Sequence, residues 1–502
     1  MCRRSGGFRK LALVAVVACG GDPPVPPDPG PALQVLGEST RWRAGDPLPA
    51  SSPWFDGTQV MLVAARGETL GLQVFHPAGE VSLRVDGATV SAFAVDSLVV
   101  ARPSTGLFGG SLGEGRYPEG LRPAIAPATN PAYFEVAIAG DAAPGARTGE
   151  LVIGERTFPV TLAITTVTLP PPRLDVWAYF DQRELAWASG AGAQPAKATV
   201  HRASDAERAC IAMFRAHGVL LSPDMPAEAF AERRELLFDF PYVPATLPAD
   251  PAAVGDAVRA WIAATAGTGK VPFAIPIDEP KPEAREKVRA LADAARAAGA
   301  GPGTFLFAVT DEPRPEYGDS VDLYIQWNAA HLAGDRHLRW TYNGKPPRAG
   351  SLVLDAQTPG TRTWGWIAHR YKIPVWYVWD ALYWHDRHNR KGAPPPGRTL
   401  DPATDSVSFD DGDDRGNLDG VLALPGCKRT LRLAAIRRGL HDRQLLEAAA
   451  VCDPAGTAAL AATLIPRALG DAPADGEPAW PTDEASWERA RRQLLVLASC
   501  RP

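Results

Sequence analysis

The chain is poor in cysteine and methionine and has no basic excess. Its 502 residues include six cysteines and four methionines, and 57 acidic side chains against 52 basic ones leave a net charge of -5. So few cysteines in so long a chain exclude a disulfide-dense miniature scaffold, and none has metal-site spacing. With no Lys/Arg block after the N-terminus, the electrostatic signature of a nucleic-acid partner is missing. Beyond the N-terminal stretch, no run is apolar for long enough to span a bilayer. What the chain does have is 45% hydrophobic residues, material for two or three packed domains.

The first residues point to a compartment. Arg3, Arg4, Arg9 and Lys10 precede a short apolar stretch at 11–17, followed by Ala18-Cys19-Gly20-Gly21. A charged leader, a short apolar core and small residues describe a secretory signal, too short to remain as a span. Val16-Val17-Ala18-Cys19 looks like a bacterial lipobox. It implies a signal peptide at 1–18 and lipidation of Cys19, with plain secretory cleavage nearby as the alternative. Residues 19–32, which contain Asp22-Pro23-Pro24-Val25-Pro26-Pro27-Asp28-Pro29-Gly30-Pro31, read as an extended tether. The expected location is the cell envelope, anchored by lipid to a bacterial membrane on its periplasmic or outer surface. Outside the cytoplasm Cys210, Cys427, Cys452 and Cys500 can pair. The C-terminal three are the favoured candidates, and sequence cannot choose among the three full pairings.

The body changes texture twice. Residues 33–168 hold short alternating apolar runs punctuated by Gly, Pro and Asp-Gly, the pattern of a β-sandwich. After Leu169-Pro170-Pro171-Pro172, eight apolar strand candidates alternate with helical stretches across 174–426. They lie at 174–180, 218–222, 271–277, 304–309, 321–326, 338–342, 374–379 and 420–424, and they predict a (β/α)8, TIM-like barrel. Pro272 and Pro276 are poor central-strand residues, and the fourth-to-fifth connection is short for a helix. Residues 427–502 predict a C-terminal helical appendage. The fold class is therefore α/β, with a β-rich front.

One run carries chemistry. Val271-Pro272-Phe273-Ala274-Ile275-Pro276-Ile277 delivers Asp278 and Glu279 into a loop stopped by Pro280. Adjacent carboxyls repel and are costly to desolvate, which suits general-acid chemistry with one protonated and one charged. An exposed turn is the plainer reading, because Asp and Pro are ordinary turn residues. If the barrel is right, the pair sits at a strand's C-terminal end, the catalytic face of that fold.

Four motifs in order resemble glycoside hydrolase family 123, also catalogued as a domain of unknown function. They are Asp278-Glu279-Pro280, the tryptophan-rich stretch from Thr363-Trp364-Gly365-Trp366 through Trp376-Tyr377-Val378-Trp379 to Tyr383-Trp384, Gly420-Val421-Leu422-Ala423-Leu424-Pro425-Gly426, and Arg432-Leu433-Ala434-Ala435-Ile436-Arg437-Arg438-Gly439-Leu440-His441-Asp442. The resemblance covers about 174–446. It departs at Ala434 and Arg443, where the family commonly has Glu and Tyr, and in a long segment at 385–419. It implies a glycan or glycoconjugate substrate containing a β-linked N-acetylgalactosamine, and substrate-assisted, retaining hydrolysis. Glu279 would be the acid and base, and Asp278 would hold the acetamido group.

Adjacent residues agree with that division of labour. Their Cα atoms are about 3.8 Å apart, whereas the usual two-carboxylate mechanisms set the pair about 5 to 9 Å apart across the sugar. Because successive strand residues point oppositely, the pair must lie past the strand's end. Asp311-Glu312-Pro313 is the alternative pair, and Asp311 is otherwise expected to border the pocket. Tyr342, Trp364, Tyr383 and Trp384 are expected to bind substrate, with Tyr342 donating to the acetamido carbonyl, although most tryptophans are simply core. Trp376 and Trp379, on opposite faces of one strand, cannot both face the lumen. Arg362 and Asp355 suit a structural ion pair as well as a family site.

Two further motifs fail. The acidic stretch 410–417 does not fit a calcium loop, since Arg415 stands at a ligand position and no Glu closes it. Gly267-Thr268-Gly269-Lys270 lacks the spacing and following Ser/Thr of a P-loop. No cofactor and no metal is implied, and no oligomeric state can be read. The competing functions are a non-catalytic carbohydrate-binding or structural envelope lipoprotein, and a glycosidase for sugars without an acetamido group.

Overall fold

The computed structural model describes residues 33–500, apart from 78, 189–201, 328–337 and 387–398. The signal, Cys19 and the tether lie outside the described residues. No helix among the described residues is long and apolar enough to cross a membrane.

The alternating front forms β1 (Gln34–Gly37), β2 (Val60–Arg66), β3 (Thr69–Phe75), β4 (Val81–Val85), β5 (Thr89–Val100), β6 (Gly115–Pro123), β7 (Ala132–Ala137), β8 (Gly145–Ile153) and β9 (Arg156–Thr168). β1, β3, β7, β5 and β6 lie side by side in one sheet, and β2, β9, β8 and β4 make a second. β9 shows why the sheets face each other. Phe158, Val160, Leu162 and Ile164 are buried while Thr157, Pro159, Thr161 and Ala163 are exposed, so a period of two turns one face inward. Leu70, Leu72, Phe134 and Val136 of the first sheet complete the same apolar core.

Eight parallel strands follow: β10 (Asp175–Ala178), β11 (Val219–Leu221), β12 (Tyr242–Pro244), β13 (Val271–Ala274), β14 (Leu306–Val309), β15 (Leu323–Ile325), β16 (Leu338–Tyr342) and β17 (Val375–Val378). Each pairs with its neighbour in chain order except β11 and β12, and β17 returns to β10. A bridge between Met225 and Ala245 spans the gap between β11 and β12. The sheet thus curls into a TIM-like barrel. Helices α1 (Arg183–Ala188), α2 (Asp205–Arg215), α3 (Phe230–Arg233), α4 (Pro251–Thr265), α5 (Arg285–Ala297) and α6 (Thr363–Tyr371) lie in the connections. α5 buries Val288, Leu291, Ala292 and Ala295, the face its spacing predicts.

Three expectations about the barrel need correction. Residues 420–424 form no strand; Val421 makes one bridge to Leu382. The missing barrel strand is β12, whose three residues, two of them in a Val-Pro pair, are too few for periodicity to register. β13 ends at Ala274 rather than 277, which places Asp278 and Glu279 in the loop beyond the strand. The short β14–β15 connection carries a single 3-10 turn, Pro315–Tyr317.

The C-terminal region is woven into the body rather than appended to it. A hairpin of β18 (Val407–Asp410) and β19 (Arg415–Asn417) precedes β20 (Arg429–Thr430), which pairs with β6 and so extends the first front sheet. Thr430 then caps α7 (Leu431–Cys452), accepting from the Leu433 N–H. Residues 431–440 of α7 are all buried, so its polar side also faces protein. Arg432 pairs with Glu119 at 2.7 Å, Arg437 with Glu135 at 2.8 Å, and Arg438 with Glu68 at 2.9 Å and Glu488 at 2.7 Å. Those partners belong to the front sheets and to α9 (Glu484–Leu497), which follows α8 (Pro454–Leu464). α6 crosses α7 at glycines: a Cβ on Gly365 would stand 1.8 Å from the Gly439 carbonyl oxygen. Of the two departures in this helix, Ala434 packs with Phe93, Leu121 and Tyr133, and Arg443 pairs with Glu447. Cys210 is bonded to Cys427 and Cys452 to Cys500.

Candidate active site

The loop after β13 brings the two acids to the barrel's C-terminal face, and both are exposed there. Glu279 has φ +41°, a left-handed conformation that a non-glycine residue holds only when its surroundings impose it. Thr310, just beyond β14, imposes it. Its Oγ1 accepts from the Glu279 N–H at 2.7 Å and donates to Asp278 Oδ1 at 2.6 Å. Tyr342, the last residue of β16, donates its hydroxyl to Glu279 Oε1 at 2.7 Å. Each acid therefore has one oxygen engaged by a neutral donor.

Aromatic rings floor the cleft. Trp327, Tyr342, Tyr377 and Trp177 stack in succession, with ring centroids 5.6, 6.4 and 4.4 Å apart. They border two adjoining lobes. The larger, of about 410 Å³, is lined by Trp177, Asp224, Asp278, Tyr377, Trp379 and Asp380, with Arg183 at its edge. The smaller, of about 230 Å³, is lined by Phe108, Glu279, Tyr342, Trp379, Phe409 and Asp419, and Asp278 borders it too. Burial pushes the Tyr342 and Tyr377 hydroxyls well above their usual range, with further contributions from Glu279 and Asp278 respectively. Both phenols are thus held neutral as hydrogen-bond donors. Burial also raises the Asp419 carboxyl to about 7, against the Trp379 N–H, the Arg432 charge and the Gly420 N–H, which favour its charged form.

Of the expected site residues, Asp278, Glu279 and Tyr342 converge in this cleft. Tyr342 faces Glu279 rather than standing free for an acetamido carbonyl. Asp311 does not join them. It is tied to Tyr317 at 2.6 Å and to Arg314 at 3.3 Å, and it lines a neighbouring depression. Glu312 pairs with Arg314 at 2.7 Å, so the second Asp-Glu-Pro is an ion-paired turn. Trp364, Tyr383 and Trp384 are corrected to core positions. Trp364 lies on α6 outside the barrel, stacked on Trp376 at 5.0 Å, with its indole donating to the Gly350 carbonyl. Tyr383 donates to Asp386 and Trp384 to the Ala423 carbonyl, and all three are at most 1% exposed. Arg362 pairs with Asp442, and Asp355 accepts from Ser104, so both are structural.

Trp177, Tyr377, Asp224, Asp380 and Asp419 were missed. For Trp177 and Tyr377 strand parity held a signal, since with Trp376 outside its neighbour must face the lumen. Asp419 had none, because its place depends on a turn with no periodicity. Among the described residues no group of three His, Cys, Asp or Glu side chains is arranged to hold a metal ion.

No protein-family model matches this chain, and no curated protein matches it. Among solved structures, a family 123 glycoside hydrolase from Clostridium perfringens superposes with a TM-score of 0.61 at 11% identity, covering 93% of this chain and 99% of that one. An FMN-binding beta-glucuronidase from Facaelibacterium prausnitzii reaches a TM-score of 0.25 at 9% identity, over 78% of this chain and 61% of its own, too loose a match to bear on the fold. The fold of this chain is therefore like that of a family 123 glycoside hydrolase.

Proposed function

We propose that the protein is a retaining β-N-acetylgalactosaminidase-like glycoside hydrolase, lipid-anchored at Cys19 in a bacterial cell envelope. The observation that carries the reading is an exposed Asp278–Glu279 pair, at a barrel strand's C-terminal end, opening onto an aromatic cleft. The superposed Clostridium perfringens enzyme, described for glycolipid glycan hydrolysis, supports the reaction class. Two disulfides suit an oxidising compartment and support the location.

In this reading Glu279 protonates the glycosidic oxygen as the substrate's acetamido oxygen attacks C1. The leaving sugar departs with the proton, and a cyclic oxazolinium-like intermediate forms. Asp278 accepts from the acetamido N–H, steering that oxygen and balancing the developing positive charge. Thr310 occupies Asp278 Oδ1, leaving Oδ2 for the N–H, and Tyr342 donates to Glu279 Oε1, which orients the carboxyl that carries the proton. Glu279 then takes a proton from the water that opens the ring, so the anomeric configuration is retained.

A second reading rests on Asp224 and Asp380, which share the larger lobe with Asp278. In a glycosidase for sugars without an acetamido group, one of them would be the nucleophile. Hydrolysis of three aryl β-glycosides separates the readings: N-acetylgalactosaminide, N-acetylglucosaminide and galactoside. Turnover confined to acetamido substrates and lost in Glu279→Gln supports the first, and turnover of the galactoside supports the second. Silence on all three, with glycan-array binding, would point to a binding protein.

A further inference from the structure

The smaller lobe has walls that the barrel does not supply. Leu107 and Phe108 reach it from the front sheets, and Phe409 and Asp419 from the segment between β17 and α7. The acidic stretch that fails as a calcium loop is the turn of the β18–β19 hairpin. That hairpin sets Phe409 edge-on to Phe108 at 5.9 Å and to Trp379 at 6.3 Å. Asp419 follows two residues after β19.

Its placement is held from several directions. Leu418 (φ +55°) and Gly420 (φ +68°) flank it in the left-handed region, and a Cβ at 420 would stand 2.7 Å from the Trp379 ring. Arg432 donates to the carbonyls of Leu418 and Val421, and Ser408 Oγ donates to the Asp419 carbonyl at 2.6 Å. The Asp419 side chain accepts from the Trp379 indole N–H and the Gly420 N–H, and the residue is 7% exposed. The nearby Arg432 charge favours the ionised carboxyl, but Arg432 already has an ion pair with Glu119 at 2.7 Å. A nearly buried carboxyl whose hydrogen-bond partners are neutral N–H groups is a costly way to fill space. A fold needing only packing there would be served better by an apolar residue. Strain and buried charge held together on a cavity wall are the marks of a recognition group.

We propose that Asp419 recognises the leaving-group sugar, binding one of its hydroxyls while Glu279 protonates the glycosidic oxygen on that side of the bond. The inference rests on the reading of Glu279 as the acid. The Asp278 lobe then takes the acetamido sugar, and the Glu279 lobe, edged by Trp379 and Phe409, takes its neighbour. A carboxyl with lone pairs remaining accepts a sugar hydroxyl well. Asp278, Glu279 and Asp419 border the same lobe, and Lys345, which also lines it, is paired with Asp475 at 3.1 Å. A sulfated sugar or a uronic acid would therefore meet an excess of like charge. The ligand class is a neutral, hydroxyl-bearing sugar.

The test compares wild type, Asp419→Asn and Asp419→Ala on two substrates, with thermal melts alongside. One is an aryl β-N-acetylgalactosaminide; the other is β-N-acetylgalactosaminyl-galactose. In assays above pH 7, the level to which the Asp419 carboxyl is raised, losing a hydrogen bond to this charged group should lower the disaccharide-to-aryl ratio of kcat/KM at least about tenfold in Asp419→Ala. The loss should sit mainly in KM, and Asp419→Asn should lie between. An unchanged ratio overturns the proposal whatever the absolute rates do, because a structural role would depress both substrates together. If the alanine variant melts early, the isosteric asparagine variant decides by the same ratio. Wild-type silence on both substrates overturns the N-acetylgalactosaminidase reading and this inference with it.

Discussion

Replacing Thr310 by valine should cost activity far more than it costs folding. Thr310 Oγ1 is 2.6 Å from Asp278 Oδ1 and 2.7 Å from the Glu279 nitrogen, and the residue is 2% exposed. Valine keeps the volume and deletes both hydrogen bonds. A hydrogen bond to a charged group contributes about 1.5 to 3 kcal/mol, and about 1.4 kcal/mol is a tenfold change in rate. If Asp278 must be aimed at the acetamido N–H in the transition state, kcat/KM should fall about 10- to 150-fold, mostly in kcat. The freed Glu279 N–H lies in an exposed loop where water can meet it, so global stability should fall by only about 1 kcal/mol. Thr310→Ser restores the hydroxyl and should recover most of the activity. Steady-state kinetics on an aryl β-N-acetylgalactosaminide and urea denaturation measure the two quantities. A valine variant within threefold of wild type would refute the claim that Thr310 positions the pair.

Other consequences concern the buried charges and the disulfides. Glu68, fully buried, accepts from Arg438 and Arg491; Glu68→Gln leaves those cations undercompensated and should cost about 3 kcal/mol or more, read as a lower urea midpoint at unchanged m. Burial first, and then Arg437, lower the His217 pKa from 6.5 to about 4, although Glu135 stands 4.0 Å away. The unfolded chain therefore binds a proton as pH falls through 6.5 while the folded chain resists until about 4. Stability should drop across that window, by about 2 kcal/mol from His217 alone between pH 6.5 and 5. His217→Gln should flatten that stretch of the denaturation profile, and an unchanged slope would sink the assignment. The Cys210–Cys427 bond spans 217 residues, so breaking it with paired serines should destabilise by about 2 to 5 kcal/mol. Calorimetry with and without the substitutions checks this.

Local pattern made much of this protein legible. Alternation in runs such as Phe158-Pro159-Val160-Thr161-Leu162 marked strands with one buried face, and the spacing of Val288, Leu291 and Ala295 marked the inner face of α5. An apolar run ending in Asp278-Glu279-Pro280 put the acids at a strand's mouth. Each of these depends on neighbours within a turn or two, where period and burial are tied directly to residue type. β12 escaped because three residues carry no period. The side to which an aromatic points escaped as well: Trp364 and Tyr377 are both large rings near the same strand, yet one packs outside the barrel and the other floors the cleft.

The sequence by itself determined which segments alternate, which are amphipathic and where two carboxyls fall side by side. Only the tertiary structure decided which acid pair is ion-paired and which opens onto a cleft, and that α7 runs through the interior with its arginines neutralised by the front sheets. It also decided that Asp419 faces the lobe bordered by Glu279. Those outcomes depend on contacts between residues far apart in the chain, where a side chain's partner, and hence its charge and exposure, exists only once the distant segment has folded against it.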